Sequence, residues 1–231
     1  MLRLDHATLC HPGFTLTADW QAYPGQRLAI IGPSGAGKST LLMAIAGFQP
    51  LQSGRILWMG TDLAPLTPAQ RPVSILFQDQ NLFPHLTLGQ NLGLALSPRL
   101  RLSALHHSRI DAVLTRLGLA GMGQRRPGDL SGGQQGRAAL ARALLQDRPI
   151  LLLDEPFGAL GPALKTDLLM LVRDLAVETQ KLVLMVSHDP ADARRFADAT
   201  VLVAGGQALP PVATNDLLAN PPKDLSDYLG N

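Results

Sequence analysis

Gly32-Pro33-Ser34-Gly35-Ala36-Gly37-Lys38-Ser39-Thr40 decides how the rest of the chain is read. Ahead of it runs Arg27-Leu28-Ala29-Ile30-Ile31, whose unbroken apolarity after the first residue predicts a buried strand. Behind it runs Leu41-Leu42-Met43-Ala44-Ile45-Ala46, which predicts a helix stopped by Gly47. Strand, glycine-rich turn, Lys-Ser and helix together make a phosphate cradle, the P-loop. Glycines let the backbone curl until several N–H groups converge on one anion. The helix N-terminus adds the positive end of its dipole. Lys38 supplies a mobile cation for β- and γ-phosphates, and the Ser39 hydroxyl can ligate Mg²⁺. A chance glycine-rich turn would lack the Lys-Ser pair and both flanks. Residues 32–40 are therefore expected to bind a nucleoside triphosphate with Mg²⁺, which leaves kinases, GTPases, helicases and transport ATPases open.

Working outward, the bulk properties fit one α/β domain of 231 residues with a lobe inserted in it. Apolar residues make up 46%, ordinary for a chain with a sizeable core. The net charge of +2 is spread along the sequence, without a basic run or an aromatic ladder. No nucleic-acid partner is expected. A single cysteine, Cys10, excludes an internal disulfide framework and suits a reducing compartment. Charges interrupt the first six residues, unlike a signal peptide. No apolar run reaches the ~18 residues of a membrane span, so membrane attachment is expected to come through a partner.

Residues 2–9 and 14–20 alternate loosely and predict a small N-terminal antiparallel β subdomain, with Cys10-His11-Pro12-Gly13 as the turn. Residues 53–60 predict an edge strand, and Val73-Ser74-Ile75-Leu76-Phe77 a buried one. Between 82 and 145 nothing reads as a strand. Leu86, Leu88, Leu92, Leu94 and Leu96 suggest a helix weakened by Gly89 and Gly93. Ser103 and Ser131 can cap two more. The α/β pattern resumes with strand 150–153, helix 162–179, strand 181–186, helix 190–197 and strand 200–203. Strands alternating with helices predict a mainly parallel sheet with right-handed crossovers. The expected division is a core of 1–81 and 146–209, an inserted helical lobe of 82–145, and a tail of 210–231 holding a short helix or two.

Four further features bear on what the triphosphate is used for. Asp154-Glu155 follows four aliphatic residues and precedes Pro156, at the carboxyl end of a parallel strand, where α/β sheets place ligands. Asp154 can hold Mg²⁺ and Glu155 can polarise the attacking water. Leu130-Ser131-Gly132-Gly133-Gln134 opens a helix with free N–H groups. Taken alone it could be a plain N-cap; beside an existing phosphate cradle it suggests a second one, serving another subunit's nucleotide. Gln78 follows strand 73–77 and could touch Mg²⁺ or the attacking water. His188 follows strand 181–186 and could bond the γ-phosphate. Singly, either could be an ordinary surface or capping residue. His85, His106 and His107 have no metal-ligand spacing and are expected to be solvated.

In this order and spacing, GPSGAGKST, Gln78, LSGGQQ, LLLDEP and Val186-Ser187-His188 resemble the ATP-binding subunit of an ABC transporter, over nearly the whole chain. The resemblance implies a RecA-like P-loop NTPase core. It implies a head-to-tail pair with a second copy, each ATP lying between the P-loop of one and the LSGGQ of the other. Glu155, His188 and Gln78 then act in catalysis, Ser39, Gln78 and Asp154 hold Mg²⁺, and Leu130 to Gln134 act in trans. An aromatic residue usually stacks on adenine near the first turn; His11 is the first choice here and Phe14 the second. One departure is Gly158-Ala159-Leu160-Gly161, where the family usually has Ser-Ala-Leu-Asp. The missing acid at 161 normally ties the subunits together, so weaker coupling between the two sites is expected. Within the family, residues 71–87 with 90–94, and 151–157, are similar to the ATPases of bacterial thiamine importers. That branch implies a place on the cytoplasmic face of the inner membrane, transmembrane permease subunits docked through 79–87, and indirectly a periplasmic solute-binding protein. Ferric iron, polyamine and molybdate importers are the nearest alternatives, and a soluble ABC ATPase the more distant one.

Overall fold

The computed structural model describes residues 1–11, 13–79, 82–158, 160–223 and 225–226. Five parallel strands form its centre: β3 (Arg27–Ile31), β6 (Val73–Leu76), β7 (Ile150–Asp154), β8 (Leu182–Val186) and β9 (Ala199–Ala204), in spatial order β9-β3-β8-β7-β6. Period two explains why β7 and β8 read as unbroken aliphatic runs. Ile150 and Leu152 enter one core while Leu151 and Leu153 enter another. Likewise Leu182, Leu184 and Val186 face one side and Val183 and Met185 the other. A strand covered on both faces has no polar side to show.

The antiparallel part is β1 (Leu2–His11), β2 (Phe14–Ala22), β4 (Ser53–Trp58) and the two-residue β5 (Thr61–Asp62). From Leu16 to Ala22 every second residue of β2 is buried, as one wet face requires. β4 was expected at the sheet edge, but β5 pairs outside it. The two parts are also joined: β10 (Gln207–Ala208) runs parallel to β2 and antiparallel to β9, making one continuous sheet. The tail adds β11 (Val212–Ala213) beside β9 and α7 (Thr214–Ala219), and buries Leu217 and Leu225 against Ala29, Ile31 and Leu202.

Helix α1 (Lys38–Ala46) follows the P-loop, and α5 (Pro162–Thr179) and α6 (Pro190–Phe196) are crossovers. The lobe holds α2 (Leu88–Gly93), α3 (Ala104–Arg116) and α4 (Gly132–Leu145). Thr87, Ser103 and Ser131 each accept a hydrogen bond from the backbone N–H three residues on, with the reciprocal side-chain bond completing a capping box. The lobe is not a separate body: Leu92, Leu114 and Leu140 share a core with Leu76, Leu151 and Leu153 of the sheet. Two buried polar side chains fix what the leucine pattern leaves open. Arg71 donates to the Ala44 and Ile45 carbonyls at the end of α1, at 2.7 and 3.0 Å, satisfying acceptors that every helix terminus leaves over. Asn91 is fully buried and bonds Phe83 N and O, Leu86 O and Thr87 O, so segment 83–87 is held in one shape.

Candidate active site

Four of the expected site segments leave neighbouring strands on one edge of the sheet. The P-loop leaves β3, His188 follows β8, Glu155 follows β7 and Gln78 follows β6, in the same spatial order as those strands. All four strands are parallel, so their carboxyl ends line up; Asp154 is in register with Val186 and Leu76 with Leu153. Such an edge, with side chains from separate crossovers, is where this class of sheet binds ligands.

The P-loop takes its shape from contacts a larger residue could not make. Gly32 has φ +149°, and a Cβ there would lie well inside van der Waals contact of the Val203 carbonyl of β9. Gly37, at φ +98°, is the residue before α1, and a Cβ on it would meet the Phe14 ring at 2.8 Å. Phe14, the second choice for adenine stacking, thus sets its ring edge beside the loop. His11, the first choice, ends β1; its side chain lies outside the described residues, and so does Pro12. Lys38 is buried and donates to the carbonyls of Gly32 and Pro33 at 2.8 and 2.9 Å. Ser34, Gly35, Ala36 and Thr40 complete the turn and the first turn of α1.

Ser39 Oγ donates to Asp154 Oδ1 at 2.8 Å, bringing together two of the three expected Mg²⁺ ligands. Both are hard oxygen donors, the chemistry Mg²⁺ takes. The third, Gln78, is exposed two residues beyond β6, and no hydrogen bond joins it to Ser39 or Asp154 among the described residues. Burial pushes the Asp154 carboxyl up and the neighbouring Glu155 charge adds to this, against the Ser39 bond and the Lys38 charge. Burial pulls the Lys38 ammonium down, against Glu155 and Asp154. Both shifts run in the direction of incomplete charge compensation. A polyphosphate at Lys38 and a divalent cation at Asp154 would supply it.

Glu155 sits in the left-handed region at φ +44°, uncommon for a residue with a side chain and costlier before proline. Its N–H is tied to Val186 O at 3.2 Å. Its Oε2 lies 3.3 Å from His188 Nδ1, so two of the expected catalytic side chains meet directly. Strained backbone held at a strand end is a mark of a functional position.

The LSGGQ segment lies elsewhere. Ser131 is exposed, and its cap is closed by Gln134, whose Oε1 accepts the Ser131 N–H at 2.9 Å. Leu130 is buried beneath. Cβ atoms on Gly132 and Gly133 would touch Leu160 and Leu164, in the segment after β7. No hydrogen bond among the described residues joins 130–134 to 32–40. Asp5, His6 and Asp19 place ligand-type atoms within 4.8 Å of one another. Asp5 is already held by Arg3 and Arg55, which compensate its charge, so these residues form an ion-pair cluster. Sequence reasoning missed Lys165 and Asp192, which are joined to the residues on either side of His188.

Known proteins of the same pattern match in sequence and in shape. The ABC transporter family profile matches residues 16–158. A "Thiamine import ATP-binding protein ThiQ" of Cereibacter sphaeroides is 64% identical over 230 residues, covering all of both chains. Another protein of that name, from Ruegeria sp. (strain TM1040), is 54% identical over the same length and coverage. The ABC transporter cassette MJ0796, solved as a dimer, has 28% identity and a TM-score of 0.79 over 93% of this chain and 99% of its own. A second dimeric structure of that cassette, in a post-hydrolysis state with ADP and Pi, has the same TM-score. A P-loop, an Asp-Glu pair at a buried strand end and an LSGGQ helix in one chain, with relatives of this likeness along its whole length, place it in the ABC transporter family.

Proposed function

We infer that this chain is the ATP-binding and hydrolysing subunit of a thiamine importer. The observation that carries the substrate is the 64% identity over full length to a thiamine import ATP-binding protein. The observation that carries the chemistry is the row of Lys38, His188, Glu155 and Asp154 along three adjacent strand ends.

Phosphoryl transfer asks the protein for positioning and charge stabilisation more than for covalent chemistry. Residues 32–40 cradle the triphosphate, with Lys38 on its β- and γ-oxygens. Ser39, Asp154 and Gln78 would hold Mg²⁺, which supplies charge neutralisation on the phosphoryl oxygens. Glu155 takes the proton of the attacking water as general base. His188, in contact with Glu155, bonds the γ-phosphate and holds the carboxylate toward the water. Ser131 and the N–H groups of Gly132 and Gly133 complete the site from a second, head-to-tail copy. The dimeric state of the MJ0796 cassette supports that pairing, and so does the exposure of Ser131 away from its own P-loop.

The permease subunits would dock beside segment 79–87, of which Gln80 and Asn81 lie outside the described residues. A groove of about 510 Å³ runs there, lined by Phe77, Leu82, Phe83, Leu94 and Arg142. Phe83 is 46% exposed while its backbone is clamped by Asn91, giving a partner an apolar anchor that is already ordered. No helix among the described residues is long and apolar enough to cross a membrane. Attachment to the cytoplasmic face of the inner membrane would therefore run through those subunits, and a periplasmic solute-binding protein would deliver the solute.

The reconstituted complex tests the substrate. With its permease and binding protein, ATP hydrolysis is expected to rise on adding thiamine and to stay at its basal rate with spermidine, ferric iron or molybdate. Stimulation by one of those three and not by thiamine would overturn the assignment.

Gly161 gives a second test. It occupies the N-cap of α5 with extended backbone (φ −62°, ψ 155°) and no side-chain cap bond, and a Cβ there meets nothing within 4 Å. Gly161→Asp therefore fits without strain. The new cap is expected to add a few tenths of a kcal/mol of stability. Its carboxylate would stand on the surface facing the second copy, and the Hill coefficient of ATP hydrolysis is expected to rise. An unchanged coefficient would count against a coupling role for this position.

A further inference from the structure

His188 lies between two residues that are both fastened to one ion pair. Lys165 Nζ, in the first turn of α5, lies 2.7 Å from Asp192 Oδ2 and 3.3 Å from Asp189 Oδ2. Ser187 Oγ donates to the same Asp192 Oδ2 at 2.6 Å and accepts the Asp189 N–H at 3.1 Å. Asp189 Oδ1 accepts from Ala191 N at 2.9 Å, starting α6. The residues on either side of His188 are thus tied to Lys165, which stands on the helix that follows the Glu155 segment.

Two features of the pair work against stability taken alone. A lysine in the first helical turn faces the positive end of the dipole. Asp192 is 3% exposed, and its Oδ1 is buried with no hydrogen-bond partner, a vacancy that costs free energy. A buried ion pair of this kind contributes little net stability compared with apolar residues of similar size. What it supplies is geometry, because three hydrogen bonds from two helices and one turn converge on it.

We propose that Lys165 and Asp192 are a positioning pair that fixes His188 against Glu155, so that their loss slows hydrolysis without loosening the hold on ATP. The proposal rests on the ATPase reading above. Neither residue touches the P-loop; the pair acts through the Ser187-His188-Asp189 backbone.

The test uses the full-length chain with Mg-ATP. The wild-type rate checks the ATPase reading first: no hydrolysis at all would sink that reading. Given a wild-type rate, Lys165→Met is expected to lower kcat by about ten- to a hundredfold, the scale of a misplacement near 1 Å, with a smaller change in KM. Lys165→Arg, which keeps the charge and the donors, is expected to recover most of kcat. The double variant Lys165→Met with Asp192→Leu separates positioning from plain stability. It fills the site with apolar groups and is expected to regain the wild-type thermal midpoint. Its kcat is expected to stay low, because the Ser187 hydroxyl has lost its short bond to Asp192 and keeps only the 3.4 Å one to the Asp189 carbonyl, within its own turn. Wild-type kcat in a stable double variant would overturn the proposal. So would an unchanged kcat in Lys165→Met, or an effect confined to KM.

Discussion

Glu155→Gln is expected to lower the rate of ATP hydrolysis by about 10²–10⁴-fold, the usual contribution of a positioned general base, while ATP affinity stays near that of the wild type. The substitution keeps the shape of the side chain. The amide can still meet His188, which lies 3.3 Å from Oε2, and the strained backbone at φ +44° is unchanged. What is removed is the proton acceptor. Lys38, Ser39 and Asp154 remain, so the triphosphate cradle is intact. Single-turnover hydrolysis beside equilibrium ATP binding reads the two quantities apart. A variant that hydrolyses at the wild-type rate would show that the base lies elsewhere. One that loses binding in equal measure would place Glu155 in the cradle.

Gly32→Ala is expected to have a large structural effect for a single added methyl group. The new Cβ would press on the Val203 carbonyl, which belongs to a central strand and cannot turn aside as a long side chain could. The backbone angle of +149° adds its own penalty for any residue with a Cβ. Overpacking and strain together are expected to cost about 2–4 kcal/mol and to widen the gap between β3 and β9, abolishing ATP binding. Gly35→Ala is the control. It too has a positive φ, +77°, but a Cβ there meets nothing within 4 Å, so only the strain of about 1 kcal/mol is expected. Urea unfolding of the two variants compares them. Equal stability losses would mean that the approach of β9 does not shape the loop.

The parts of the molecule that were legible in the sequence are those with a local signal. Ile150 to Leu153 and Leu182 to Val186 announce strands covered on both sides, because each face needs its own set of aliphatic residues. Ser103 and Ser131 announce helix starts, because the bonds that cap a helix lie within four residues. Strands β10 and β11 were not legible. Two residues cannot show a period, and pairing with β2 and β9 alone defines them. The leucines from 86 to 96 read as one helix, whereas α2 spans only Leu88–Gly93. Asn91, inside that helix, spends its side chain on the turn before it, a choice that no hydropathy pattern records.

The site divides in the same way. Lys38, Ser39 and Asp154 were expected together and lie together; Glu155 and His188 were each expected at a strand end and prove to be in contact. Topology brings these pairs about, since parallel strands next to one another end on one edge. Lys165 and Asp192 carry no motif of their own. They stand 27 residues apart on two helices, and only the docking of α5 against α6 brings an ammonium to a buried carboxylate.

In the proposed pairing, one chain carries two half-sites for the same triphosphate and completes them only with a second copy. The mass of Glu155→Gln in solution with Mg-ATP, by sedimentation equilibrium, tests it most directly. The expected result is a particle of twice the 24.6 kDa of one chain, returning to a single chain when Ser131→Arg is added to block the second half-site. A Glu155→Gln protein that binds Mg-ATP yet stays at the mass of one chain, or one that pairs equally well with Ser131→Arg, would contradict it.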